Sequence, residues 1–324
     1  MMVYTSAGEL LAEESYHDMH ARYGSPWYLA HRIDLHNELK TLAFGEQYPG
    51  RTAELNLASK VVHIDADNGV IRLEDGQEHK ADLIVGADGI HSITRALVFG
   101  GSKAHHTGTS CYRFVMNAED IQGDPACSPA RSDGRCRIFL SDTKRVVIYP
   151  CRNGDILNFV CMYKDASEDI IDGWNSASST EELLRTFSDF GPIVTNCLKK
   201  ATNVKRWRLL QQDPVDRWIQ GRCCLIGDAA HPMLPHQGQG GGQAIEDGVS
   251  LGPLLPLGTT PSQVPAALEL YQQVRYDRAS KIEWLSRTQQ AGNTRLTSRQ
   301  IHDFIYGHDV GEYAKHSRSS KLLL

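Results

Sequence analysis

The chain has 324 residues and a mass of 36.0 kDa, enough for about two domains with sizeable cores. Its 41% hydrophobic and 23% charged residues exclude collagen-like, coiled-coil and disordered chains. Thirty-four Lys and Arg oppose 39 Asp and Glu, a net charge of −5 without a block of like charge, which disfavours nucleic acid and anionic membranes and favours a small-molecule partner.

Glu9, Glu13, Glu14 and Asp18 interrupt the first twenty residues, so no secretory signal is expected there. No run approaches the ~18 apolar residues of a transmembrane helix. Residues 32–43 place Leu35, Leu39 and Leu42 at helical spacing and predict an amphipathic helix. Residues 60–75 hold two β-branched runs around an Asp-Asn-Gly turn, closed by Gly76, which predicts a hairpin; a third strand follows and ends in the segment 82–95.

Gly- and Pro-bearing loops are expected at 100–134, with His105-His106 as a loop pair, and then an antiparallel meander of RIFLS, RVVIYP and ILNFVCMY. Ser179 with Glu182 three residues on has the capping-box pattern and starts a helix running toward Phe190, where Gly191-Pro192 interrupts it. Apolar CCLIG at 223–227 reads as a buried parallel strand and the glycines at 238–242 as a loop. Residues 264–290 read as a long helix with Leu268, Tyr271, Val274, Ile282 and Leu285 on one stripe. Eight scattered cysteines without CxxC spacing, and the absence of any Asn-x-Ser/Thr, point to a reducing cytoplasmic setting in which most thiols are core residues. Ser320-Lys321-Leu322 is discounted as a peroxisomal signal because Leu323 and Leu324 follow it.

Two segments carry chemistry. DLIVGADGIHSITR at 82–95 is an apolar strand followed by a turn whose glycines, 86 and 89, let the backbone approach a ligand, with Asp88 at the strand's carboxyl end. Taken alone, a strand ending in Gly-Asp-Gly is also common structural punctuation. CCLIGDAAHPMLPHQGQGGGQAIED at 223–247 delivers Asp228 from a buried strand, and a loop with Gly238, Gly240, Gly241 and Gly242 leads into a helix whose free N–H groups can hold a phosphate. Zinc is disfavoured because Cys223 and Cys224 point to opposite faces and no ligand spacing includes His231 or His236. HExxH and GK[ST] are absent.

As a pair, these segments resemble the second and third fingerprints of the group A flavin-dependent aromatic hydroxylases, DxxxGADGxxSxxR and GDAAHxxxPxxGQGxxxAxED, of the para-hydroxybenzoate and salicylate hydroxylase type. HRIDLHNEL at 31–39, CYRF at 111–114, IYPCRNG at 148–154 and YQQVRYDRASKI at 271–282 extend the resemblance, which is strongest to fungal secondary-metabolite monooxygenases. The resemblance implies an α/β FAD-binding fold of the glutathione-reductase-like kind over 1–99 and 206–295, an inserted α+β substrate domain over 100–205, and a C-terminal tail at 296–324.

It implies that NAD(P)H reduces FAD and that O₂ then supplies one oxygen to an aromatic or polyketide-like substrate. Arg32 would contact the flavin, Asp228 the ribityl chain, and Gly238, Gly240 and Gly241 the pyrophosphate and ring edge. Asp88 would serve FAD and the nicotinamide donor in turn, and Arg113 and Tyr149 would stand over the flavin, where Arg113 would stabilise the departing oxygen. Epoxidases and halogenases share these later fingerprints.

One departure weighs against the matches: no GxGxxG followed by a ribose-binding acid occurs, so the fold is expected to lack its first βαβ unit. Exposed sheet edges, self-association and a nearly colourless protein would follow, and the rival reading is a non-catalytic remnant that no longer holds FAD.

Overall fold

A computed structural model describes residues 1–45, 52–101, 103–130, 133–165, 175–288 and 298–322. In chain order, the elements before the meander are β1 (Met2–Thr5), β2 (Leu10–Glu13), α1 (Met19–Tyr23), α2 (Arg32–Phe44), β3 (Val61–Asp65), β4 (Val70–Leu73), β5 (Glu78–Lys80), β6 (Ile84–Gly86), β7 (His105–Asn117) and α3 (Glu119–Gln122). Then come β8 (Arg137–Leu140), β9 (Lys144–Cys151), β10 (Ile156–Lys164), β11 (Asn175–Ala177), α4 (Thr180–Thr186), α5 (Pro192–Leu198) and β12 (Lys205–Gln211). The remainder is β13 (Ile219–Gln220), β14 (Cys223–Leu225), α6 (Gly240–Leu254), α7 (Val264–Thr288), α8 (Ser298–Tyr306) and α9 (Val310–Leu322). They form two compact units: Met1–Leu55 with His106–Leu209, and Asn56–His105 with Leu210–Leu324.

The first unit is built on one sheet, ordered β11-β12-β7-β10-β9-β8-β1-β2. The expected meander is β8-β9-β10, antiparallel throughout. β7 was not expected: much of the segment read as loop is a long strand pairing with β10 from Asn117↔Ile156 to Thr109↔Lys164, and His105 and His106 begin it. Residues 102 and 131–132 of that segment lie outside the described residues. Gly108 masks its strand character locally, and long-range pairing overrides that weak propensity.

Residues 1–55 also depart from the expected division. They cluster with 106–209 rather than with 56–105, because β1 pairs in parallel with β8, Met2↔Arg137 to Thr5↔Leu140.

Period-2 alternation gives this sheet one fully buried face, with Tyr112, Phe114, Val146, Ile148, Leu157 and Phe159 packed in a core that also contains Leu183, Val194 and Leu198 of α4 and α5. Phe114 and Phe159 stack across the strands at 4.6 Å. Ser179 caps α4 by accepting the Glu182 N–H at 3.1 Å, as the sequence signals. The helix ends at Thr186, and Gly191-Pro192, instead of merely interrupting it, starts α5 with Pro at its first position. Helix α2 spans the expected residues, yet Leu35, Leu39 and Leu42 on it are exposed, so its apolar stripe is not buried in a core.

The second unit contains the antiparallel sheet β3-β4-β5, which realises the predicted hairpin, and a sheet ordered β13-β14-β6. In the latter, β14 runs parallel to β6, Cys223↔Ile84 to Leu225↔Gly86, and β6 is the outer strand, with Val85 half-exposed. Its core joins Trp218, Leu225, Leu268, Tyr271 and Val274. The predicted stripe of α7 is buried throughout; residues 289–290 of the expected helix lie outside the described residues.

Gly240–Gly242, read as loop, already form the first turn of α6. Residues 298–322, expected as a tail, are α8 and α9, and Val310 and Ala314 of α9 enter the core. No described helix is long and apolar enough to cross a membrane. All eight cysteines are buried and unbridged; burial pushes the Cys223 thiol up to about 12.

Candidate functional site

In the second unit, both fingerprints fold at the carboxyl ends of the parallel pair β6 and β14, where open α/β sheets bind ligands. Gly86 is required by packing: a Cβ there would lie 2.5 Å from Thr94 Cγ2 and 2.9 Å from Leu225 Cδ2. The turn continues through Gly89 at φ +76°, which an L side chain rarely adopts.

Asp88 is exposed, but its carboxylate is committed to its own loop. One oxygen accepts the Ser92 hydroxyl; the other accepts the Thr94 N–H at 2.9 Å and its hydroxyl at 3.1 Å. These bonds shape the turn that precedes Arg95.

Arg95 joins the two fingerprints and was not singled out as a site residue. Its guanidinium is buried and donates to the Ala229 and Ala230 carbonyls at 3.3 Å each and to that of Asp213, while its N–H is received by Ser92 Oγ at 2.9 Å. Burial pushes its pKa down from the usual arginine range. The signal was present, since Arg95 closes the DxxxGADGxxSxxR pattern, but its partners lie more than a hundred residues away.

The third fingerprint is anchored from beneath by a buried ionic network. Asp247 is fully buried and accepts from the Gly227 N–H at 2.8 Å, His231 Nε2 at 2.7 Å and Arg275 Nε at 2.7 Å. Arg275 also reaches Glu246 and the Gln243 amide oxygen, and Arg278 grips both Glu246 oxygens at 2.8 and 2.9 Å. Burial alone would raise both carboxyls; His231 and Arg275 hold Asp247, and Arg278 and Arg275 hold Glu246, below their ordinary values. The Glu-Asp pair ending the motif thus fixes the peptide preceding Asp228.

Asp228 is exposed, with Oδ1 3.9 Å from where a Gly240 Cβ would sit. Gly241 has helical backbone and would meet nothing within 4 Å if it carried a Cβ, so neither conformation nor packing inside the chain calls for glycine there. What that position retains is open space over the first N–H groups of a fifteen-residue helix, beside a carboxylate.

Asp88, Asp228, Gly238, Gly240 and Gly241 all belong to the second unit; Arg32, Arg113 and Tyr149 belong to the first. Arg32 is the exposed first residue of α2. Arg113 and Tyr149 share the sheet face opposite the helix-packed one, since Arg113 pairs with Val160, Val160 with Val147, and Tyr149 lies two residues beyond Val147. Arg113 stands over the Trp207 ring at 5.8 Å, and its buried Nε has no acceptor among the described residues. Burial raises the Tyr149 phenol, and the Arg113 guanidinium partly opposes that rise. Among the described residues, no group of three or more His, Cys, Asp and Glu is arranged to hold a metal.

The FAD binding domain family matches residues 53–286. The chain is 36% identical to the FAD-dependent monooxygenase phomE' of Diaporthe leptostromiformis, over 86% of this chain and 72% of that protein. It is 32% identical to hispidin-3-hydroxylase of Neonothopanus nambi, over 90% of this chain and 74% of the relative. Among solved structures, a salicylate hydroxylase substrate complex superposes with a TM-score of 0.75 at 27% identity, covering 89% of this chain and 75% of the other.

Proposed function

The chain belongs to the FAD binding domain family of FAD-dependent monooxygenases, and from that premise we propose that it hydroxylates an aromatic or polyketide-like small molecule with NAD(P)H and O₂. Hispidin and salicylate, named for two of its relatives, are hydroxylated aromatics, which supports a phenolic substrate. The relatives favour an active enzyme over a cofactor-free binding protein.

The observation that carries the reading is the glycine cradle of α6. Gly241 is glycine without internal need, and the helix N-terminus beneath it favours negative charge, which fits a pyrophosphate. Asp228 is placed to accept ribityl hydroxyls beside the cradle, in charge-assisted hydrogen bonds. Gly238 and Gly240 keep the approach clear, since a Cβ at Gly238 would meet nothing within 4 Å. We assign Arg32 to flavin contact and Asp88 to the flavin and the nicotinamide donor, the latter through whatever acceptor capacity its loop leaves. The bound flavin would supply hydride acceptance and oxygen activation. Arg113 and Tyr149 would hold the substrate's phenolic oxygen, with the orphaned Arg113 Nε as donor and a phenol whose raised pKa keeps it a donor too.

The finer fold reading is that these 324 residues hold the FAD-binding fold without its first βαβ unit and with an inserted substrate domain. The outer position of β6 and the absence of GxGxxG support it.

The test is an FAD titration of the full chain, followed by flavin fluorescence, for wild type and Asp228→Ala. The variant should lose most of its FAD affinity while its far-ultraviolet circular dichroism stays unchanged. Equal affinity in the two proteins would remove Asp228 from the site. A wild type that takes up no FAD would refute the cofactor assignment for this chain.

A further inference from the structure

Helix α2 is weakly tied to its own unit. None of its thirteen residues is buried, and His31, which precedes it, gives the helix no side-chain cap. Its first residue is Arg32, exposed and without an ion pair among the described residues. A helix start that nothing holds frays, and a side chain on its first turn then samples many directions.

One contact opposes this. Asp34, on the same turn as Arg32, accepts Arg152 Nε through Oδ2 and Arg152 Nη2 through Oδ1, both at 2.8 Å. Among the described residues these are the sole side-chain hydrogen bonds that join α2 to the sheet. A two-pronged bond between guanidinium and carboxylate fixes direction as well as distance. The Arg152 guanidinium holds the Asp34 carboxyl well below the usual carboxylate range, so the pair stays charged at neutral pH.

Arg152 stands in the turn between β9 and β10, where three consecutive residues take left-handed backbone: Arg152 at φ +51°, Asn153 at φ +55° and Gly154 at φ +98°. Hairpin turns call for Asn and Gly in such conformations, and turn chemistry accounts for those two. It does not account for arginine, to which the left-handed region is unfavourable. Strained residues of this kind persist where the surrounding structure holds them, and here the side chain reaches 118 positions back to Asp34.

We propose that Arg152 is a positioning residue: its fork on Asp34 fixes the start of α2 and so aims Arg32. This rests on the flavin reading above, in which Arg32 contacts the cofactor. Arg152 acts on the flavin through Asp34 and Arg32, not by a contact of its own.

The test has two readouts, both on the full chain. Flavin-fluorescence titration with FAD compares wild type, Arg32→Ala, Arg152→Gln and the double variant. Loss of one charge-assisted contact should weaken FAD about tenfold in Arg32→Ala, and its misplacement should weaken FAD about fivefold in Arg152→Gln. The double variant should bind as Arg32→Ala does, since Arg152 then has nothing left to aim. Arg152→Lys, which keeps the charge without the fork, should fall between Arg152→Gln and wild type. Hydrogen–deuterium exchange of the flavin-free chain reads the first turn of α2, where the Leu35 N–H bonds to the His31 carbonyl at 3.1 Å. Those amides should exchange at least roughly threefold faster in Arg152→Gln and at the wild-type rate in Arg32→Ala.

An Arg152→Gln variant that binds FAD as wild type does overturns the proposal. So do losses that multiply in the double variant, which would make Arg152 an independent contact, and so does exchange of α2 that Arg152→Gln leaves unchanged. Should that variant fail to fold, Asp34→Asn opens the same fork from the other side and must shift both readouts the same way. Exchange needs no flavin: a wild type that takes up no FAD while α2 loosens in Arg152→Gln overturns the cofactor reading and supports the positioning of Arg32. Normal FAD uptake with α2 unmoved overturns Arg152 alone.

Discussion

Replacing Asp247 by Ala removes the one side chain that holds the Gly227 peptide, His231 and Arg275 together. Arg275 is fully buried, so the variant strands a guanidinium that keeps Glu246 but loses its innermost acid. Breaking a buried pair from one side costs about 3–5 kcal/mol. At roughly 2–4 °C per kcal/mol for a unit of this size, the second unit should melt about 6–20 °C lower at neutral pH. Asp247→Asn keeps an acceptor for the Gly227 N–H and should fall between variant and wild type.

The pH dependence carries its own sign. Asp247 and Glu246 have depressed pKa values in the folded chain, so their stabilisation is present above the unfolded carboxylate value of about 4 and is lost as pH falls through the folded values. Urea denaturation of wild type and Asp247→Ala, monitored by circular dichroism from pH 7 to pH 3, should show a gap that narrows only on acidification below about pH 4. A cost under about 1 kcal/mol at pH 7, or a gap constant to pH 3, would refute the assignment of the strand tip to this network.

Gly241→Ala should leave the melting temperature of flavin-free protein unchanged or slightly raised, since alanine is favoured over glycine in a helix by up to about 1 kcal/mol and its Cβ enters open space. The same variant should weaken FAD at least roughly tenfold by placing that Cβ over the cradle; unchanged affinity in the fluorescence titration would mean that no ligand approaches there. Glu283 is buried and its pKa is raised chiefly by that burial, partly offset by Arg287. Its contribution therefore favours the fold at acid pH and is lost as pH rises through the folded value, so Glu283→Gln should gain on wild type in urea midpoints as pH is raised above the unfolded carboxylate value of about 4. A difference that does not grow toward pH 8 would show that the Arg287 pair outweighs the cost of burying the charge.

The candidate site was legible in the linear sequence because its motifs are local. The strand, turn and helix at 82–95 and at 223–247 are each marked by residues close in the chain, which made them candidates: glycines at the turns, an acid at each strand tip and a helix start after the second. Helical periodicity located α2 and α7 for the same reason, and Ser179 signalled the start of α4 from its own side chain.

Long-range pairing set the rest. β7 is a strand because β10 offers it a full register of partners, although its first residues read as loop; residues 1–55 join the first unit because β1 finds β8 more than a hundred residues on. Arg95 became a staple between the fingerprints, and Asp247 the anchor of the Gly227 peptide, only once distant carbonyls and guanidiniums were brought to them. The placing of Arg145 and Arg113 on one sheet face is of the same kind. Thirty-two positions separate them in the chain, and nothing local distinguishes either from a surface arginine. It is the register of β7, β10 and β9 that puts both on one sheet face, because in a sheet the face and the neighbour of a side chain are decided by which strand lies alongside.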